Sequence, residues 1–248
     1  MVHLLLAHPG HELLLHGWIS RTKPIVHVLT DASAHGSATL RLGTTAALLG
    51  DLGARRGAIF GRLSDAEAYA MILERNGALL LSLAAELAAE LEKDRPSMIV
   101  ADAAEGYNPV HDLCRFIAGA AIAMSGVDVE QYEYAVVRHP HAPDAAIVVD
   151  LDAAEYAAKI ERARAHAAVL SDVDDLLSRY GADAYRRETL RRVDDWTAFD
   201  GDAPPLYERF GEERVAAGRY ARVIRRDEHL RPLRDALRAE ALKRSCAF

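Results

Sequence analysis

Three short segments carry side chains able to do chemistry together. The first is His8-Pro9-Gly10-His11-Glu12, the second is Asp31, and the third runs from Asp102 through Glu105, Tyr107 and Asn108 to His111. Imidazole and carboxylate groups are common ligands of zinc and other divalent ions, and three protein ligands with an open fourth position characterise a catalytic zinc site. His8, His11 and His111 meet that count if their two segments lie side by side. The spacing His-x-x-His is a weak signal in a chain with 11 histidines, so the case rests on the elements that hold the segments.

All three segments follow short apolar runs that read as strands. Residues 2–7 precede the first, 25–29 the second and 97–101 the third, with a weaker strand at 56–60. Helical stretches lie between them at 11–20, 40–52 and 64–93, the last opened by a capping box of Ser64 and Glu67. Alternating strands and helices with continuously apolar strands predict an α/β, Rossmann-like three-layer fold around a mostly parallel sheet. In such sheets ligands gather in the crevice beyond the carboxyl ends of the strands, where all three segments fall. A helix over 109–125, strands at 132–137 and 145–151, and a charged helical stretch over 152–180 follow. Residues 193–218 read as irregular and 219–241 as helical, interrupted at Pro232. No linker composition divides the chain. The expectation is a single domain over 1–248, with a core of about 1–160 and a helical C-terminal extension over about 161–248.

Composition narrows the partners. The chain has 248 residues, with 30 Lys+Arg against 37 Asp+Glu and a net charge of −7, so nucleic acid is set aside. Cys114 and Cys246 form no pairing framework, which fits a reducing cytoplasm. His3 and His8 interrupt the apolar N-terminal stretch, and no segment approaches the ~20 apolar residues of a membrane span. The expected partner is a small-molecule or glycan substrate, and homo-oligomerisation is compatible with the sequence.

The strand ending in Ala7-His8-Pro9-Gly10-His11-Glu12, the Val28-Leu29-Thr30-Asp31 element and the loop Asn108-Pro109-Val110-His111 together resemble the PIG-L/LmbE-like metal-dependent de-N-acetylases. The resemblance covers roughly residues 1–160. That family has Ala-His-Pro-Asp-Asp-Glu after its first strand and His-Pro-Asp-His after a later one. The resemblance implies metal ligands at His8, His11 and His111, with His11 standing where the family has Asp. It also places the family's general-base Asp on Gly10, its oxyanion-stabilising His on Asn108, and the Asp before the last ligand on Val110.

The implied activity is metal-dependent removal of an acyl group, acetyl first, from an amino sugar or sugar-bearing metabolite. Zn2+ is the expected metal, and another divalent ion would fit the same donors. Three neutral imidazoles leave the ion more positive than two imidazoles and a carboxylate would, which lowers the pKa of bound water further. Asn108 can donate to an oxyanion. Proton transfer then falls to Glu12, Asp102 or Glu105, although Glu12 reads first as support for a ligating imidazole. Ser33, His35 and Arg41 are placed to meet substrate, as is Tyr107, and the segment around Tyr207, Arg209 and Phe210 is placed to form a lid. His16 reads as a residue beside the core or the surface and His27 as a packed histidine, while His139-Pro140-His141 looks metal-like but lies between two later strands with no second cluster evident. Two rival readings keep the crevice. One is a protein that binds a sugar or metabolite without hydrolysing it, and the other is a three-His site that holds iron, copper or nickel for different chemistry.

Overall fold

The computed structural model describes residues 1–33, 38–166, 170–199, 201 and 203–245. The chain begins with β1 (Val2–Leu6), a 3-10 turn (His11–Leu15) that runs into α1 (His16–Thr22), β2 (Ile25–Thr30), α2 (Ala38–Asp51) and β3 (Arg55–Leu63). It continues through α3 (Asp65–Leu73), α4 (Gly77–Asp94), β4 (Met98–Asp102), α5 (Pro109–Ser125), β5 (Glu130–Tyr134) and β6 (Ile147–Asp150). The C-terminal part holds α6 (Ala153–Ala165), α7 (Leu170–Tyr180), β7 (Arg187–Arg192), α8 (Leu206–Ala216) and α9 (Arg231–Ser245).

One seven-stranded sheet organises these elements in the order β3-β2-β1-β4-β5-β7-β6. The pairs β1–β2, β2–β3, β1–β4 and β4–β5 are parallel, whereas β7 pairs antiparallel with both β5 and β6. This is the mostly parallel α/β architecture expected from the sequence. Leu5, Leu29, Ile99 and Ala101 pack into one core with α4, α5 and α9. Leu4, Leu6, Val26, Val28 and Val100 point to the other face and pack with Trp18 and Ile19 of α1. The central strands are apolar on both sides because both sides are covered. Strand order reverses between β1 and β4, so the crevice opens beyond their carboxyl ends, directly over His8 and Asp102.

Several expectations change. The helix expected over 64–93 breaks after Leu73: Arg75 takes a positive φ of 52°, and Asn76 caps the new helix by accepting the Leu79 N–H at 3.2 Å. The Ser64–Glu67 capping box is present at the start of α3. Residues 187–192, unassigned in the sequence reading, form β7, a charged strand whose buried positions are Glu188, Thr189 and Leu190. The region 193–218 contains α8, and the helix expected over 219–241 begins only at Arg231, after a π-type turn at Arg226–Leu230. The strand expected over 132–137 ends at Tyr134, because a turn at 136–138 folds onto Glu105. Cys246 lies outside the described residues, and Cys114 is buried as a free thiol. Among the described residues no helix is long and apolar enough to cross a membrane.

A buried ion pair ties the C-terminal elements to the core. Lys159 of α6 donates to Glu188 of β7 at 2.8 Å, and both side chains are buried. The same carboxylate accepts the Gly17 and Trp18 N–H groups at 3.0 and 2.7 Å, in the first turn of α1, where negative charge is favoured. Replacing Glu188 with Ala strands Lys159 without its partner. The expected loss is about 3–5 kcal/mol of stability, read as a lower urea midpoint; a wild-type midpoint would show that the pair contributes nothing.

Candidate metal centre in the crevice

Two segments bring three imidazoles together. His8 lies two residues beyond β1, His11 opens the 3-10 turn, and His111 sits in the first turn of α5. Their ring centroids are 5.3 Å apart for His8–His11, 5.2 Å for His8–His111 and 4.8 Å for His11–His111, all edge-on. The strand order explains the meeting, since β1 and β4 are neighbours and α5 follows the β4 loop.

The surroundings hold the rings in the state that binds a metal. Asp102 Oδ2 lies 2.7 Å from His11 Nδ1, so an ionised Asp102 accepts a hydrogen bond from Nδ1–H and leaves the Nε2 lone pair free of that contact. Burial alone pushes the Asp102 carboxyl up, but the His11 and His111 imidazoles and the donated hydrogen bonds hold it down at about 2. His8 Nδ1 lies 2.7 Å from Thr30 Oγ1 and 3.6 Å from Asp65 Oδ1, and a proton donated to Thr30 leaves Nε2 as its donor atom. Burial pushes the His8 pKa down and that of His111 well down, so both rings are neutral near pH 7. His111 Nδ1 is buried with no hydrogen-bond partner. One donor atom each from His11, Asp102 and His111 lies within 4.8 Å of the others. Neutral imidazoles, a buried nitrogen without a partner and one adjacent carboxylate fit a divalent cation.

The other expected acids point elsewhere. Glu12 is fully buried, with one carboxylate oxygen on the Gly10 N–H at 2.8 Å and the other on the Thr45 hydroxyl at 2.7 Å, so it clamps the ligand loop to α2. Glu105 accepts the N–H groups of Val136, Val137 and Arg138 at 3.0, 2.9 and 2.9 Å. Burial raises its pKa against those amides, and its task is to fix the turn after β5. Of the three acids, Asp102 alone touches the imidazole cluster, and its oxygens also accept the Ala7 N–H and the Tyr134 hydroxyl at 3.1 and 2.7 Å. Asn108 caps α5 through Oδ1 on the Val110 N–H, which turns Nδ2 to within 3.4 Å of His8 Nε2. Gly10 has φ 105°, a left-handed conformation that disfavours a side chain at that position.

The cluster lies against a cavity of about 220 Å³. Arg41 and Tyr107 line it with His8, His11, Asn108 and His111. Ser33 does not line it; its hydroxyl turns to the Asp65 N–H at 3.3 Å. His35 lies outside the described residues. The expected lid takes a different place: Tyr207 donates its N–H to the Gly106 carbonyl, and Phe210 packs edge-on against Tyr107, so α8 braces the loop before Asn108 from outside. The facing wall is α7, with Val173, Asp175, Leu176 and Arg179. His16, His27, His139 and His141 are absent from this cavity, and His139 packs edge-on against His141 and Tyr180 beside a second one. Sequence reasoning missed Thr30, Asp65 and the α7 wall. Thr30 and Asp65 had a signal in their positions at a strand end and beside the Ser64 cap, whereas nothing in the α7 sequence says which way that helix packs.

No protein-family model matches the chain, and no curated protein matches its sequence. Solved structures do match its fold. The A40926 pseudoaglycone deacetylase superposes with a TM-score of 0.59 at 16% identity, covering 79% of this chain and 98% of that one. The conserved protein TT1542 from Thermus thermophilus gives 0.58 at 19% identity, over 77% of this chain and 93% of that one. The N,N'-diacetylchitobiose deacetylase from Pyrococcus horikoshii gives 0.50 at 16% identity, over 77% and 83%. The chain therefore shares the fold of these proteins, the α/β fold that the PIG-L/LmbE resemblance implied.

Proposed function

We propose that the protein is a metal-dependent amide hydrolase that removes an acyl group, acetyl first, from the nitrogen of an amino sugar or sugar-bearing metabolite. The observation that carries this reading is the convergence of His8, His11 and His111 on one wall of a crevice, with Asp102 holding His11. Two of the structures that share the fold, the A40926 pseudoaglycone and diacetylchitobiose enzymes, are deacetylases, which supports the same reaction class. His8, His11 and His111 would hold a divalent ion, zinc first; when bound, the ion supplies Lewis acidity that polarises an amide carbonyl and activates water.

The chain's own residues divide the remaining work. Asp102 orients His11 and sets its tautomer, and its low pKa keeps it ionised for that purpose at all ordinary pH values. Asn108 Nδ2 presents an N–H donor beside His8, suited to the oxygen that gains charge as the carbonyl becomes tetrahedral. The first turn of α5 begins beside it, and its positive end favours the same charge. Arg41 and Tyr107 supply polar contacts in the cavity, and α7 closes its far side.

A second reading has an observation of its own. Gly10 stands where the family carries its base, in a backbone conformation unsuited to one. That favours a protein that binds its ligand in the crevice without cleaving it.

Amine release from N-acetylated amino sugars by the zinc-loaded protein separates the two. Release that is lost on chelation and lost in the His111→Ala variant is the expected result; full turnover by His111→Ala would overturn the assignment. Asp102→Asn tests the positioning role separately. It should cut zinc affinity at the crevice about 10–100-fold, measured by competition with a chromogenic chelator, and unchanged affinity would remove Asp102 from the centre.

A further inference from the structure

A second group of donors lies on the same sheet about 16 Å from the crevice, taking five residues of β1 and its extension at ~3.3 Å each. His3 pairs with Ile25 and His27 with Leu5, so the two histidines are diagonal neighbours on one face of β1 and β2. Both are fully buried. Glu90 and Asp94 lie one turn apart on α4 and close over them.

We propose that His3, His27 and Glu90, with Asp94 beside them, form a structural divalent-cation site, of the zinc type, that pins β1 and β2 to α4. The donor separations carry it. His27 Nε2 lies 3.1 Å from His3 Nδ1 and 3.5 Å from Glu90 Oε2, and one donor atom from each of the three lies within 4.8 Å of the others. Donors bound tetrahedrally at ~2.0–2.1 Å stand about 3.3–3.4 Å apart, so the group needs only small adjustments to surround an ion. Asp94 Oδ2, 3.4 Å from His3 Nε2, adds the second negative charge that balances a dication.

Further observations point the same way. Burial lowers the pKa of both rings, that of His27 to about 3, so both present neutral lone pairs. Gly57 leaves the room His27 occupies, since a Cβ there would come within 2.2–2.6 Å of three of its ring atoms. The imidazoles are sealed, but the carboxylates are 25% and 16% exposed, which gives an ion a way in from the α4 side. With the imidazoles sealed, the site suits a structural ion rather than a reactive one.

Zinc content after incubation with zinc chloride and dialysis tests this independently of the crevice. A His8→Ala/His111→Ala variant should retain about one equivalent, and adding His27→Gln or Glu90→Gln should remove it. Glu90 is 25% exposed on α4, and Gln keeps a side-chain oxygen able to accept the Ala58 N–H. In the otherwise wild-type chain Glu90→Gln should lower the content from two equivalents to one, while His111→Ala lowers it by the other. The proposal is overturned if the His8→Ala/His111→Ala variant, folded by circular dichroism, retains no zinc, or if its equivalent survives both His27→Gln and Glu90→Gln.

Discussion

The carboxylate of Asp102 is the contact on which the crevice depends. It ends β4 fully buried, yet it is ionised, because its oxygens receive the Ala7 N–H, the His11 imidazole and the Tyr134 hydroxyl. Those donors come from the end of β1, the ligand loop and β5. A buried carboxylate without such donors would lose its charge or destabilise the fold. One residue therefore joins three neighbouring segments and fixes the tautomer of a proposed ligand. The burial that makes the charge expensive also makes its orientation strict, since each oxygen has its donors in fixed places.

Around that carboxylate the positions where the chain differs from the motif it resembles have structural reasons. Gly10 adopts φ 105° and gives its N–H to Glu12, so the position serves the bend of the loop rather than proton transfer. Asn108 spends its carbonyl oxygen on capping α5, which leaves its amide nitrogen facing His8. A histidine there would offer a donor that protonation can switch, whereas the amide remains a donor at every pH. The His11 substitution fits the same pattern. An aspartate ligand would place two carboxylates, its own and Asp102, against each other, while an imidazole turns that contact into a hydrogen bond of 2.7 Å.

The parts of the fold that the sequence discloses are those whose signals are local. β1, β2 and β4 are largely apolar on both faces, so their runs stand out and predict a parallel sheet. The sequence leaves the order of the strands open; the fold makes β1 and β4 neighbours and so brings His8 to His111. What stays hidden depends on contacts across the chain. β7 reads as a charged segment because Glu188 is buried only through Lys159 and the first turn of α1, and Arg191 lies against Glu133 of β5. Glu12 and Glu105 look like catalytic acids in sequence, but backbone amides and Thr45 occupy them in the fold. His27 reads as a packed histidine until β1 places His3 beside it.

The C-terminal extension completes the crevice rather than decorating it. The Rossmann-like core supplies the imidazoles, Asp102 and Asn108, all at strand ends or a helix start. α7 adds to the wall, with Val173 packed against Leu13 and with Leu176, Arg179 and Asp175 at the same cavity. That mixture suits a ligand with an apolar portion against the aliphatic side chains and polar groups within reach of Arg41 and Arg179. α7 is anchored through Tyr180, whose hydroxyl donates to the Val137 carbonyl at 2.7 Å, and Val137 is itself held by Glu105. The shape of the pocket is thus tied back to the β4 loop that carries Asp102. Changes in the turn at 136–138 would move the wall and leave the imidazoles in place, so the shape of the cavity and the placement of the imidazoles are set by separable parts of one loop system.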